Sequence, residues 1–338
     1  MEWIKISDVA RRAGVNPSTV SRALRDDPRI SLARRKMIQT LATQMGYRPN
    51  ALVSALMASR GGKRKLRVTS TIAFLKLIPE ERWRELPMMA HYQEGARKRA
   101  EERGYDFETF SPFELRMSLP RLQQVLIARG IQGLCLGPML RHYSHLKLDW
   151  DRFAVAAIGR TLVRPEVHRA VADHYQGMQL ALRELRRRGW TRIGFCINET
   201  INKRVLDLWL ASFMAFGHRH PRMKLLLHEK KGQMEDLPRW LSKSKPEVIV
   251  TDSYWVRVRL RKLGIKFPQD VGYCVLGWLP EAESACGVDQ GDEGIAAAAI
   301  DLIIGQLQRN ERGVPMQART VLLNSRWVEG GSLGEGKE

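Results

Sequence analysis

The sequence predicts a small all-α head followed by a much larger α/β region built on parallel sheets, and three observations predict it. Within the first sixty residues two short helical stretches flank a glycine-containing turn. From residue 67 onward, apolar strand-like runs alternate with helical stretches. Positive charge is concentrated in the first fifth of the chain.

At 338 residues the chain is longer than one hydrophobic core usually organises and fits about two domains. It is 44% hydrophobic and 27% charged, with a mean hydropathy of −0.32, the composition of a soluble globular protein. The run of residues 295–307 is broken by Asp301 and Gly305 and falls short of the roughly 18 apolar residues a membrane span needs. Glu2 and Asp8 interrupt any leader-like start, so secretion and membrane insertion are not expected. Cys135, Cys196, Cys274 and Cys286 are widely spaced, lack a C-x-x-C pattern and read as buried free thiols of a reducing cytosol. His142 with His145, and His218 with His220, read as surface residues; no metal and no cofactor is expected.

The charge points to a partner. Fifty-six Lys and Arg against 36 Asp and Glu leave +20, which favours a polyanion. Residues 1–64 hold 13 Lys/Arg against four acids, a net of +9, so the other 274 residues carry +11. A uniformly basic, solubilising surface would not concentrate charge in this way.

The head is read element by element. Residues 8–13 place Val9, Ala10 and Ala13 on one face; Gly14 ends that helix and Val15 plugs the turn. Asn16-Pro17 is a start signal, with Asn as N-cap and Pro at the first helical position. The helix over 17–24 buries Val20, Ala23 and Leu24 and presents Ser18, Thr19, Ser21, Arg22 and Arg25. Two helices across a glycine turn, the second polar and basic on its open face, make a helix-turn-helix. A third helix is expected from a Ser31 cap, with Leu32, Ile38, Leu41 and Met45 inward and Gly46 as its stop.

Beyond residue 67, strands are expected at 68–75, 133–136, 154–158, 193–197, 224–227, 248–250 and 273–276. Helices are expected at 89–103, 175–188, 206–216 and 294–309. Alternation with near-continuous apolar strands predicts parallel sheets covered on both faces.

The run DVARRAGVNPSTVSRALRDDPRIS, followed by MGYRPNALVSAL, resembles the DNA-binding head and hinge of the lactose-repressor family of transcription regulators. The shared elements are Asp8-Val9-Ala10, Ala13-Gly14-Val15, Thr19-Val20-Ser21-Arg22, Gly46-Tyr47-Arg48-Pro49-Asn50 and Leu56. The resemblance implies that Pro17, Ser18 and Arg22 reach base edges in the major groove, Arg22 with a bidentate fork suited to guanine. It implies that Thr19, Ser21, Arg29, Ser31, Tyr47 and Asn50 contact phosphates. Residues 50–58 would form a hinge helix, too short to stand alone in water, that pairs with its twin in the minor groove. Leu56 would then wedge between base pairs and kink the duplex. Lys5 departs from the family's capping Thr, and Val53 from its usual Ala.

The remainder looks like the family's effector domain, a two-lobed fold similar to periplasmic sugar-binding proteins. The matching pieces are Tyr92-x-x-Gly95 with Arg103-Gly104-Tyr105, Val171-x-Asp173-x-x-x-Gly177, Gly189-Trp190-Thr191-Arg192-Ile193, Pro268-Gln269-Asp270-Val271-Gly272 and Val288-Asp289-Gln290. The implied organisation is a head over 1–48, a hinge and basic linker over 49–65, and a two-lobed effector-binding and dimerisation domain over 66–330. Lobe 1 would take about 66–165 and 290–319, and lobe 2 about 166–289 and 320–330, with a flexible tail at 331–338. The ligand would bind in the cleft at the carboxyl ends of the strands. Arg204, Asp252 and Trp278 are the cleft candidates, and Trp278 reads equally as a sugar-stacking face or as a structural aromatic. Gly277-Trp278-Leu279-Pro280 lacks the acid that many sugar-responsive members carry there, so neutral hexoses are expected to bind poorly. The +11 over residues 65–338 favours an anionic ligand with Arg204 as its partner.

No G-x-S-x-G, P-loop, H-E-x-x-H or dinucleotide fingerprint follows an expected strand, and pairs such as Glu94 with Lys98 have surface ion-pair spacing. The expectation is a cytoplasmic, nucleoid-associated regulator and not an enzyme. It would be a homodimer on a pseudo-palindromic double-stranded operator, a repressor whose affinity a small sugar-like or anionic effector modulates. An activator or ligand-independent architectural regulator is the alternative, and a DNA-processing enzyme a further one.

Overall fold

The computed structural model describes residues 6–24, 29–45, 70–114, 116–141, 144–228, 236–252, 254–282 and 284–334. They fall into two compact units, an N-terminal helical one and a large α/β one.

Among the described residues the helical unit has three helices: α1 (Ile6–Ala13), α2 (Pro17–Ala23) and α3 (Leu32–Gln44). Gly14 adopts the left-handed φ of +64° that reverses the chain, and the Val15 amide donates to the Ala10 carbonyl at 3.0 Å. Val9, Ala10, Val20, Ala23, Ile38 and Ala42 form its core, with Val15, Leu24 and Met45 packed on the rim. The Gln39 side-chain amide donates to the Ala23 carbonyl at 3.0 Å, tying α3 to the end of α2. Asn16 and Ser31 stand at the N-cap positions without a side-chain capping bond; the Asn16 carbonyl instead accepts from Thr19 and Val20. Leu32, expected inward, is 61% exposed, because Ile38 and Ala42, one turn apart, already fill the seam against α2.

The α/β unit contains two six-stranded sheets. Its helices are α4 (Glu80–Arg84), α5 (Met88–Glu102), α6 (Leu119–Ala128), α7 (His174–Arg187), α8 (Glu199–Arg204), α9 (Leu208–Gly217), α10 (Leu237–Ser244), α11 (Tyr254–Lys262) and α12 (Asp292–Arg309). Its first strands are β1 (Thr71–Leu75), β2 (Asp106–Phe110), β3 (Gly133–Leu136), β4 (Ser144–His145), β5 (Ala154–Ile158), β6 (Leu162–Arg164) and β7 (His168–Ala172). They are followed by β8 (Ile193–Asn198), β9 (Lys224–His228), β10 (Val248–Thr251), β11 (Gly272–Trp278), β12 (Cys286–Asp289), β13 (Thr320–Leu323) and β14 (Arg326–Val328). The first sheet runs β13-β7-β5-β3-β1-β2, all parallel. The second runs β14-β12-β11-β10-β8-β9, parallel except for β14, which is antiparallel to β12.

Alternation along the strands sorts the second core. Phe195, Val250, Cys274 and Val288 face α7 and α9, whereas Cys196, Ile249, Tyr273 and Val275 face α10 and α11. In the first sheet Ala73, Leu75, Leu134 and Val155 meet Leu122 and Leu126 of α6. On its other face, a Cβ at Gly133 would press on Ile303 of α12. Gly95 of α5 lies against the backbone of Glu293, where any side chain would collide. All four cysteines are free and buried.

The pairings move two expected crossings between lobes. Strand β7 belongs to the first sheet through β5, so the chain crosses at Asp173 rather than near 165. Strand β13 pairs with β7, so the last crossing falls after Leu323 rather than near 320. Helix α9 begins at Leu208, not Leu206, because Leu206 and Asp207 both take left-handed φ values. The tail expected to be loose at 331–338 is packed at its start: Ser332 and Leu333 are buried, and the Ser332 hydroxyl binds the Tyr273 carbonyl and the Cys286 amide.

Candidate nucleic-acid interface and effector cleft

Helix α2 is short, so its two faces are sharply divided. Val20 and Ala23 anchor it on the core, and their burial turns Pro17, Ser18 and Arg22 outward together. Ser21 is half-buried beside them. A depression next to this face is lined by Arg11, Asn16, Thr19, Arg29, Ser31 and Arg34. It gathers Thr19, Arg29 and Ser31, three expected phosphate contacts that are scattered in sequence. Arg11 and Arg34 join them and were not singled out from sequence; their signal was the RR pairs at 11–12 and 34–35. Tyr47, Asn50 and Leu56 lie outside the described residues. The result is a convex helix face with an arginine-bearing rim and no carboxylate among the described residues of the depression. Such a surface suits a phosphate backbone flanking a groove.

The second constellation sits at the carboxyl ends of the two parallel sheets. Met139 follows β3, Arg160 follows β5 and Asp173 follows β7; Asn198 ends β8 and Asp252 follows β10. Asn198 caps α8 by accepting from the Ile201 amide at 3.3 Å. That cap aims α8 so that its last residue, Arg204, donates to the Met139 carbonyl at 3.1 Å. Arg204 thereby joins the end of the second sheet to the end of the first. It also interacts electrostatically with Asp252 and with Tyr92 of α5, while Tyr92 is hydrogen-bonded to Asp292 at the start of α12.

Burial governs the electrostatics here. It pushes the Asp252 carboxyl up to about 7, against the opposing pull of its backbone hydrogen bond and the Arg204 charge. It pushes Asp292 up to about 6, opposed by the Tyr92 hydrogen bond and the charge of His91. Burial, reinforced by the Arg160 charge, drives His174 down to about 3, so its ring is neutral. Burial lowers Arg160 and Arg204 as well. Asp252 Oδ1, Asn198 Nδ2, Arg160 Nε and His174 Nδ1 are buried with no hydrogen-bond partner among the described residues. Buried polar atoms without partners are costly unless something polar fills the space between them.

Two of the three cleft candidates, Arg204 and Asp252, are therefore brought together. Trp278 is held differently: its indole N–H donates to the Ala285 carbonyl at 3.0 Å, and its ring packs on the cluster of Tyr273, Val275 and Ala285. No acid follows Leu276, but the Asp252 carboxyl interacts with Arg204, and Asp292 is linked to the same group through Tyr92. Sequence reasoning missed Tyr92, Asp292, Arg160 and His174. Tyr92 opened one quoted motif, His174 lay inside another and Asp292 stood three residues after Asp289 of a third, but none was assigned to the cleft; Arg160 had no local signal.

The family model described as "Bacterial regulatory proteins, lacI family" matches residues 5–50. The chain is 24% identical over 200 residues to the "NTD biosynthesis operon regulator NtdR" of Bacillus subtilis (strain 168), covering 57% of this chain and 55% of that protein. It thus spans about half the length of this relative. Among solved structures, the "transcriptional regulator CelR-cellobiose complex" matches with a TM-score of 0.56 at 18% identity, over 97% of this chain and 99% of that one. The lac repressor dimer bound to operator and the anti-inducer ONPF matches with a TM-score of 0.55 at 14% identity, over 98% and 99%. At these identities the structural likeness speaks for the fold.

Proposed function

We propose, from the premise that residues 5–50 belong to the lacI family of bacterial regulatory proteins, that this chain is a sequence-specific transcription regulator whose DNA affinity is set by a small effector. The observation that carries it is α2, whose buried Val20 and Ala23 force Pro17, Ser18 and Arg22 into one exposed row beside an arginine-bearing rim. Arg22 reads a guanine edge, Pro17 touches a thymine methyl and Ser18 adds a hydrogen bond. Thr19, Ser21, Arg29 and Ser31 set register on phosphates, joined by Tyr47 and Asn50, with Leu56 as the wedge.

The division into a head over 1–48, a hinge over 49–65 and an effector domain to about 330 belongs to the same reading. A homodimer on a pseudo-palindromic operator follows from two-fold symmetry, and repression is the sign adopted. The assembly works in the cytoplasm on nucleoid DNA, without chemistry on a substrate. No helix among the described residues is long and apolar enough to cross a membrane.

The effector occupies the space beside Arg204, where buried polar atoms of Asp252, Asn198 and Arg160 lack partners among the described residues. The Asp252 carboxyl beside the Arg204 guanidinium supports a hydroxyl-rich ligand over the anionic one that bulk charge favoured, because an anion there would meet Asp252. Binding withdraws Arg204 from the Met139 carbonyl, which changes how the lobes meet and so biases the hinge.

Selection of duplexes from a random pool with the full chain tests the reading. A two-fold-related consensus is expected. Enrichment of no sequence above the starting pool overturns it.

A further inference from the structure

A second cavity lies in the α/β unit, away from the constellation described above. It has a volume of about 390 Å³ and is lined by Arg257, Arg261, Lys266, Phe267, Tyr273 and Ser332, together with the Gly264–Ile265 turn, Ser284 and Gly331. Its place in the fold sets it apart from the effector cleft. The segment 264–267 leads into the first residues of β11, and Ser284 leads into β12, so the cavity opens toward the amino ends of the second sheet. Asp252 and Asn198 stand at the carboxyl ends of the same sheet.

The lining has a definite chemistry. Arg257 and Arg261 stand one helical turn apart on α11 and so share a face, and Lys266 joins them from the following loop. Arg257 is buried, only 8% exposed, and is oriented by donating to the Ala282 carbonyl at 3.3 Å. A guanidinium held at that depth is pre-organised, because its side-chain entropy is already spent. No Asp or Glu stands among the described lining residues; Asp270 nearby is engaged with the Lys266 backbone amide at 2.8 Å. One wall is aromatic, with the Phe267 and Tyr273 rings 5.3 Å apart between centroids and Ile265 beside them. The floor is fixed by the Ser332 hydroxyl, which binds both the Tyr273 carbonyl and the Cys286 amide.

We propose that this cavity is a second ligand site that takes a small phosphate monoester carrying an apolar body. Arg257, Arg261 and Lys266 hold the phosphate, and the body lies on Phe267 and Ile265. Arg261 and Lys266 face one space beside Arg257, and the planar arginine fork matches phosphate oxygens. The volume lies within the usual range of small-molecule sites, roughly 300–1,000 Å³. The proposal is independent of what fills the cleft and of whether the head binds DNA.

Calorimetric titration of the full chain with phenyl phosphate, inorganic phosphate and phenol tests it, in wild type and in the Arg261→Gln/Lys266→Gln double variant. Both substituted side chains are exposed, so the variant keeps its core. The expected result is saturable binding of one phenyl phosphate per chain, weaker binding of inorganic phosphate and none of phenol. The double variant should bind phenyl phosphate at least tenfold more weakly. Equal affinity in the two proteins would place the phosphate elsewhere, for instance on the arginines of the head, and overturn the site. Absence of saturable phenyl phosphate binding to wild type overturns it as well, as does phenol binding as tightly as phenyl phosphate.

Discussion

The head and the cleft present their functional groups in opposite ways. In the head, six small or medium apolar side chains make the core, and the proposed base readers Pro17, Ser18 and Arg22 stand exposed outside it. Arg22, Pro17 and Ser18 need no burial, and their positions follow from the helix period alone. In the cleft, the polar atoms around the proposed effector are themselves buried: those of Asp252, Asn198, Arg160 and His174 sit where apolar side chains would be more stable. The head thus stabilises itself and exposes its function, while the cleft carries its function at a cost in stability that a ligand would offset.

The largest expected effect breaks the head's side of that comparison. Ile38 is fully buried and is the largest side chain in the helical core. Ile38→Ala removes three carbons from a unit with little else to hold it and should cost about 2–5 kcal/mol. Specific DNA binding should vanish while the thermal transition of the α/β unit stays put. Differential scanning calorimetry with gel shifts on one preparation would measure both. Full retention of operator binding would show that the six-residue core is not what holds α2 in place.

How much of this was legible in the sequence follows the same divide. The head's helices and exposed row were readable because Gly14, Pro17 and the i, i+4 spacing are local signals. The alternation of strands and helices was readable where strands were continuously apolar. Strand β7 was not, because His168 and Arg169 break its apolar run. The structure buries both, with His168 Nδ1 accepting from the Arg319 amide and Arg169 donating to the Leu162 carbonyl. Strands β2 and β13 escaped for a related reason: each lies at an edge of the first sheet, β13 mostly exposed and β2 carrying a mixed pattern with only Phe110 buried. Arg204 and Asp252 were found only by resemblance. Tyr92 and Asp292 could not be placed beside them by any local rule, since 200 positions separate the two and only the packing of α5 on α12 joins them.

A second prediction sharpens the cleft's side through pH. His174 has its folded-state value held down at about 3, below the ordinary 6.5. A depressed value contributes stability that is present above pH 6.5 and is lost as pH falls toward 3. Asp252, raised to about 7 from 3.8, works the other way: its contribution is complete below 3.8 and is lost as pH rises through 7. The two slopes oppose one another in wild type, so the comparison is made with His174→Phe, which keeps a ring against Trp209 and leaves Asp252 in both proteins. Between pH 7 and pH 4.5 the variant should gain on wild type by about 2 kcal/mol in urea unfolding. A difference that does not change with pH would mean that His174 titrates normally.

The third effect is on recognition. Arg22→Ala should remove about 1–3 kcal/mol of discrimination for each lost bidentate contact, leaving weak binding to random duplex that falls steeply with salt. Competition gel shifts with selected and scrambled duplexes report the ratio. If the ratio is the same for variant and wild type, Arg22 contacts only phosphate and the exposed row of α2 is not the reader.

The smallest expected effect decides what Trp278 is for. It stands at the end of β11, where a stacking aromatic would be useful, yet its indole N–H is committed to the Ala285 carbonyl and its ring to the cluster beneath α10 and α11. Trp278→Phe keeps an aromatic face and much of the packing but removes the donor, leaving a partly buried carbonyl without its partner. A net hydrogen bond of this kind contributes about 0.5–1.5 kcal/mol, so the α/β unit should unfold at slightly lower urea with an unchanged slope. Trp278→Leu should cost somewhat more, because shape as well as the donor is lost. If the residue is structural, both variants keep the affinity for whatever ligand the cleft selects. If it stacks on the ligand, Phe keeps that affinity and Leu loses it while their stabilities stay close. Measuring affinity and stability on both variants therefore separates a residue that shapes the cleft from one that reads its contents.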